Sequence, residues 1–310
     1  PPLPIKTEPS EPNSLSVEPL EVLARDLSSV FSGYPSLERG RVLVWSMSAA
    51  DVLVSTEGPA THRSLGVTVI LAESLTRSQD GSPIRALRSW VSVDLESMPP
   101  LRQLEEELEE MLRSQALRRD APVELDYLGP VIFEGTASVE LFRQLLLPEI
   151  CGTPPAEVAP DPWETRFGSV APRARPGRRL LPDGWSVDDV AIDHPELPGG
   201  IGSDLEGQPT RAVGLVRDGV VQEVLMSRVP RTGFTHSTGH GRVVQAGRVM
   251  AAPGVVEVQP ERTRRMRRLE RRGLKLARQA DLPYVLVVRQ MVPLSMVEEV
   301  SVAFSADARL

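Results

Sequence analysis

The sequence predicts an α+β protein, with an antiparallel sheet and packed helices in its first part and a β-rich C-terminal part. Three observations lead there. Four strand-like runs separated by turn signals lie between residues 41 and 95. Two runs, LRQLEEELEEMLRSQALRR from Leu101 and TASVELFRQLLL from Thr136, repeat apolar residues at the helical period. Farther on, Asp218-Gly219 sits between two apolar runs, a strong short-range hairpin signal.

Taken in order, residues 1–19 hold six prolines and little to bury, so they read as an extended linker or arm. PLEVLARDLSSVF follows as a short helix. RVLVW (41–45), DVLVS (51–55), SLGVTVILAESLT (64–76) and ALRSWVSVDL (86–95) are the four strands, with QDGSP (79–83) as a turn. In the next helix Leu101, Leu104, Leu108, Met111 and Leu112 share one face, and Glu105 to Glu110 read as its solvated side. YLGPVIFEG (127–135) reads as a strand, and the helix after it is expected to stop at Pro148. Residues 152–184 read as a long surface loop. GRVVQAGRVMA forms a second hairpin around Ala246-Gly247, residues 261–280 a basic helix, YVLVVRQM (284–291) a buried strand and VEEVSVAFSA a half-buried one.

Composition removes several functions. At 310 residues, 41% apolar and 25% charged, the chain has the make-up of a soluble globular protein. Its net charge of −7 gives no general affinity for nucleic acid, and no apolar run nears the ~20 residues that span a bilayer. We therefore expect no nucleic-acid and no membrane partner. A single cysteine, Cys151, rules out an internal disulfide and a Cys-rich zinc site. With no visible signal peptide, this leans cytoplasmic. The chain starts at Pro1 rather than Met, which reads as a missing true N-terminus.

Four places invite a chemical reading. HSTGHGR (236–242) sets His236 and His240 four apart, a zinc-ligand spacing if the segment were helical. Its glycines, serine and threonine make a loop instead. GSDLEGQP (202–209) brings Asp204 and Glu206 together, either as an acid–base or cation pair or as a turn capped by Asp204. Residues 262–278 carry nine basic side chains, a surface for an anionic partner; an apolar stripe packs the other side, and no aromatic is interleaved for base stacking. Cys151 reads as a buried or incidental thiol.

Three segments together resemble the TldD/PmbA family, which includes metallopeptidases and their inactive partners. SDLEGQPTRAVGLVRDGVVQEVLMSRVPRTGFTHSTGHGR (203–242) is similar to the family's acidic-Glu-Gly turn, Gly hairpin and Ser-Thr-Gly-x-Gly-Arg element, with Ser237, Thr238, Gly239, Gly241 and Arg242 in place. VSTEGPATHR (54–63) resembles its Ser-Glu-Gly element. GPVIFEGTASVELF (129–142) resembles the strand that leads into its metal helix. The resemblance implies a central domain over 20–127 and a metalloprotease-related C-terminal domain over 128–310. It also implies that the family's C-terminal portion is shortened here, as in a fragment that leaves a metal ligand outside.

Active members carry His-Glu-x-x-x-His on that helix. Here the aligned residues are Arg143, Gln144 and Pro148. Arginine stays protonated, proline offers no donor, and glutamine cannot take a proton from a metal-bound water. The resemblance thus implies a non-catalytic member with no cofactor. Its partner would be a TldD-like subunit or a second copy, and its ligand a peptide held near Asp204, Glu206, His236, Thr238, His240 and Arg242. Two alternatives stand beside this. One is an active peptidase with zinc at a relocated site drawing on His194, His236, His240, Asp204 and Glu206. The other is an electrostatic binding module using residues 262–278.

Overall fold

A computed structural model describes residues 16–54, 56, 60–121, 126–153, 175–245, 248–291 and 305–309. The chain divides into two units. One comprises Ser14–Met47, Val67–Leu141 and Arg264–Leu310; the other includes Ser48–Gly66 and Phe142–Thr263. The architecture is mixed α and β, as the sequence predicts.

The first unit opens with helix α1 (Val17–Ser29) and a sheet in the order β1 (Arg39–Val54), β2 (Ala60–Arg77), β3 (Pro83–Ser92). Three strands replace the expected four, because RVLVW and DVLVS belong to one strand. SMSAA between them contains no Gly, Pro, Asn or Asp to turn the chain. β2 and β3 pair antiparallel, Ile70 opposite Trp90. Helix α2 (Leu101–Arg119) covers one face of this sheet. Leu104, Leu108, Met111 and Leu112 pack with Ile70, Ala72, Ala86 and Trp90, as the helical period requires. One buried polar link crosses this core: Ser74 Oγ donates to Gln115 Oε1 at 2.7 Å, and Gln115 Nε2 donates to Ile84 O at 2.8 Å. Both polar side chains are thereby satisfied.

β4 is short, Val131–Phe133, within the longer run expected over 127–135. Helix α3 (Thr136–Ile150) does not stop at Pro148 but continues to Ile150. Leu146 and Ile150 lie one turn apart and are both buried in the core of the second unit, which holds the last turn helical across the proline.

That core is built on β5 (Trp185–Asp189), β6 (Val213–Arg217) and β7 (Val220–Val221). Asp218 and Gly219 join β6 to β7 with φ of 48° and 74°, the two positive values a type I′ hairpin needs. β8 (Gly241–Gln245) and β9 (Arg248–Ala251) form the second hairpin; Ala246 and Gly247 at its turn lie outside the described residues. β10 (Val256–Pro260) closes a sheet ordered β10-β5-β6-β7.

Helix α4 runs Met266–Gln279, starting later than the basic run, which begins at Arg262. Gly273 seats it on the sheet: a β-carbon there would approach Val285 and Ile132 within 3.0 and 3.2 Å. This sheet is β11 (Val285–Gln290) between parallel β4 and antiparallel β12 (Ser305–Arg309). Of the half-buried strand expected over 297–306, only Ser305 and Ala306 are described, as the start of β12; the rest of it and most of the loop expected over 152–184 fall outside the described residues. Among the described residues, no helix is long and apolar enough to cross a membrane.

Candidate functional site

The turn at 203–209 forms because Asp204 caps its own backbone. Its Oδ1 accepts from the amides of Glu206 and Gln208, each at 2.9 Å, and its Oδ2 accepts from the Gly241 amide at 2.9 Å. Asp204 is buried, and three amide donors occupy its carboxylate. The turn and the start of β8 are thus stapled together, reinforced by Leu205 N–H to Gly241 O at 2.8 Å.

The Ser-Thr-Gly-His-Gly-Arg loop is consumed in the same way. Thr238 Oγ1 accepts from the Met226 amide at 2.8 Å, and Ser237 Oγ donates to Met226 O at 3.2 Å. Gly239 sits at φ 72°, and a β-carbon there would lie 2.2 Å from Pro209 O, so only glycine fits. Arg242 reaches the carbonyls of Gly199 (2.8 Å) and Ile201 (3.3 Å) and Thr210 Oγ1 (3.2 Å).

His236 is exposed, whereas His240 is fully buried. The Nδ1 of His240 lies 2.9 Å from Thr238 O and 3.0 Å from its Oγ1; Nε2 is 3.2 Å from Asp189 Oδ1, off the line of a hydrogen bond, so that contact is electrostatic. Burial pushes the Asp189 carboxyl up, but the His240 ring and the amides of Gly254 and Ala191 outweigh it and hold the pKa below the usual carboxylate value. The Asp189–His240 pair has no counterpart among the candidates read from the sequence, because its members are fifty-one positions apart, one ending β5 and the other just before β8.

The five side chains required for a relocated metal site do not converge. His194 pairs with Glu196 (2.9 Å) and Glu257 (3.4 Å), His240 with Asp189, while Asp204 binds backbone and His236 faces solvent. Among the described residues no three His, Cys, Asp or Glu side chains stand together as ligands. Cys151 is partly buried; burial and the nearby Asp189 carboxylate push its thiol up to about 12, far from a thiolate nucleophile. On α3, Arg143 and Gln144 are exposed, and neither a guanidinium nor a carboxamide suits zinc.

Glu206 differs from its neighbours. It is half-buried beside a cleft of about 720 Å³, lined with it by Leu53, Val54, Thr56, Arg228, Val229 and Pro230, all within one unit. Its Oε2 accepts from the Arg228 amide at 2.6 Å. Its Oε1 has no hydrogen-bond partner among the described residues. Burial and the adjacent Asp204 raise its pKa against the opposing effect of Arg228. Leu53 and Val54 end β1, an edge strand of its sheet. The Ser-Glu-Gly element that follows lies mostly outside the described residues.

Comparison with known proteins places this arrangement. Residues 129–310, more than half the chain, match the family model described as PmbA/TldA metallopeptidase C-terminal domain. A Thermotoga maritima protein described as a candidate modulator of a DNA gyrase superposes with a TM-score of 0.66 at 15% identity, covering 91% of this chain and 59% of that one. TldE from Thermococcus kodakarensis superposes at 0.64 with 17% identity, covering 93% and 61%. A candidate modulator of DNA gyrase from Bacteroides thetaiotaomicron gives 0.58 at 11% identity, covering 90% and 56%. These likenesses concern the fold, and this chain spans about three fifths of the length of those proteins. No curated protein matches it. The family model and the turn, hairpin and loop of 203–242 agree: the chain belongs to the TldD/PmbA family.

Proposed function

We propose that this is a non-catalytic TldD/PmbA protein that binds extended peptide and serves as partner to a metal-bearing peptidase subunit. The observation that carries the proposal is the chemistry of α3. Arg143, Gln144 and Pro148, all on α3, stand where the resemblance expects the His, Glu and His of active members, and none of the three can hold or work with a catalytic metal. The likeness to TldE supports a partner role.

The cleft at Glu206 supports peptide binding. Its volume is that of an ordinary ligand site, its walls are largely apolar, and edge strand β1 runs into it. An extended peptide could pair with that edge, a mode that needs no catalytic residue.

The test is reconstitution. The purified chain should leave peptides uncut alone, co-elute with a TldD-like subunit, and raise that subunit's peptide hydrolysis. Hydrolysis by the chain alone, abolished by chelator, would refute the proposal.

A second reading rests on α4. Arg267, Arg268, Arg271, Arg272, Lys275 and Arg278 fall on the arc opposite Gly273 and Ala277, and all six are exposed. Like charges at i,i+4 cost the helix stability, which an anionic partner would relieve. Binding to an acidic surface that falls steeply with salt would favour this reading.

A further inference from the structure

We infer that the cleft beside Glu206 recognises a cationic nitrogen of its peptide, either an N-terminal ammonium or a Lys or Arg head group. This inference deepens the peptide-binding reading and rests on it. Three observations lead to it.

First, the two carboxylates of the turn have divided roles. Asp204 spends its oxygens on three backbone amides. Glu206, which lines the cleft, spends one oxygen on the Arg228 amide, and its other oxygen has no hydrogen-bond partner among the described residues. A half-buried carboxylate with one oxygen unbonded among the described residues gains from a closer counter-charge than the exposed Arg228, because burial together with Asp204 disfavours its ionised form. A cation bound there would reverse that effect.

Second, the site suits an organic cation better than a metal ion. One carboxylate oxygen is too few donors, and among the described residues no other His, Cys, Asp or Glu side chain lines the cleft. Leu53, Val54, Val229 and Pro230 offer apolar wall for a peptide backbone or a methylene stem. The Glu206 oxygen supplies the charge-assisted hydrogen bond at its end.

Third, the cleft carries its own competitor. The exposed Arg228 guanidinium lies beside Glu206 and partly offsets the rise in its pKa. Removing that side chain leaves the Arg228 amide, and so the bond to Oε2, in place.

The experiment measures affinities of three otherwise identical fluorescent peptides for the whole chain. One has a free N-terminus and no Lys or Arg, one is N-acetylated with an internal Arg, and one is N-acetylated and uncharged. At least one cationic peptide should bind about tenfold or more tighter than the uncharged one, the usual yield of a hydrogen bond to a charged group. Which of the two does so identifies the source of the nitrogen. Glu206→Gln keeps an acceptor for the Arg228 amide and should erase the preference. Arg228→Ala should enlarge it. Opposite shifts from two neighbouring substitutions cannot come from misfolding. Equal affinity for all three peptides, unchanged in Glu206→Gln, overturns the cation inference while leaving peptide binding intact. No binding of any peptide to the unsubstituted chain overturns both.

Discussion

The loop at 236–242 and the helix turn at 143–148 stand at opposite extremes. In the loop, the residues matching the family element are taken up by the fold: Thr238 grips Met226, Gly239 fits against Pro209, and Arg242 ties down Gly199 and Ile201. In the helix turn, Arg143, Gln144 and Pro148 stand where the resemblance expects the family's His, Glu and His, and Arg143 and Gln144 are exposed. On the proposed reading, this chain keeps what builds the fold and departs where the family's chemistry would be. A side chain that holds the structure leaves its mark in every neighbour, whereas a catalytic one can be exchanged without disturbing the core.

That contrast can be broken most directly at the buried pair. Asp189→Ala removes the partner of His240 and the acceptor for the amides of Ala191 and Gly254. It should cost about 3–5 kcal/mol in urea denaturation, the usual result of orphaning one member of a buried pair. A loss below about 1 kcal/mol would mean the pair does not organise this layer. Gly239→Ala comes next. With φ at 72° and a carbonyl 2.2 Å from the new β-carbon, it should cost about 1–3 kcal/mol, and an unchanged melting temperature would contradict the geometry.

The pH dependence has two opposed parts. Asp189 has its folded pKa depressed, so its contribution is present above the unfolded carboxylate range and is lost as pH falls through the folded value. His194 has its folded pKa raised, by hydrogen bonding to Glu196 against some desolvation and with help from Glu257. Its contribution is full below the unfolded histidine value, near 6.5, and fades as pH rises through the folded value. His194→Gln should therefore flatten the stability profile on the alkaline side of 6.5 and leave the acid limb alone. The smallest effect belongs to the helix turn: Arg143→Ala should change stability by no more than about 0.5 kcal/mol, as exposed substitutions usually do.

Much of this was legible in the sequence where the signal is local. The stripe Leu104, Leu108, Met111, Leu112 announces α2, and Asp218-Gly219 announces its hairpin through the two positive φ values it allows. Asp204 was readable as a cap because an aspartate before Gly207 can fold back on its own amides. What failed were local rules overridden by packing. Pro148 did not end α3, since the burial of Leu146 and Ile150 holds the turn. Two strand runs fused into β1 for want of a turn residue. The glycines around His236 and His240 made their loop readable, but the partner of His240 was not, because Asp189 lies far away in sequence. The cleft beside Glu206 was invisible for a similar reason, since Leu53 and Val229 reach it from distant segments.

The central claim is that α3 works with no catalytic metal, and metal content tests it most directly. Zinc, iron and manganese are to be quantified by mass spectrometry on the purified, dialysed chain. The account predicts close to none per chain. About one tightly held metal per chain, retained through dialysis and lost with peptide hydrolysis on chelation, would contradict it.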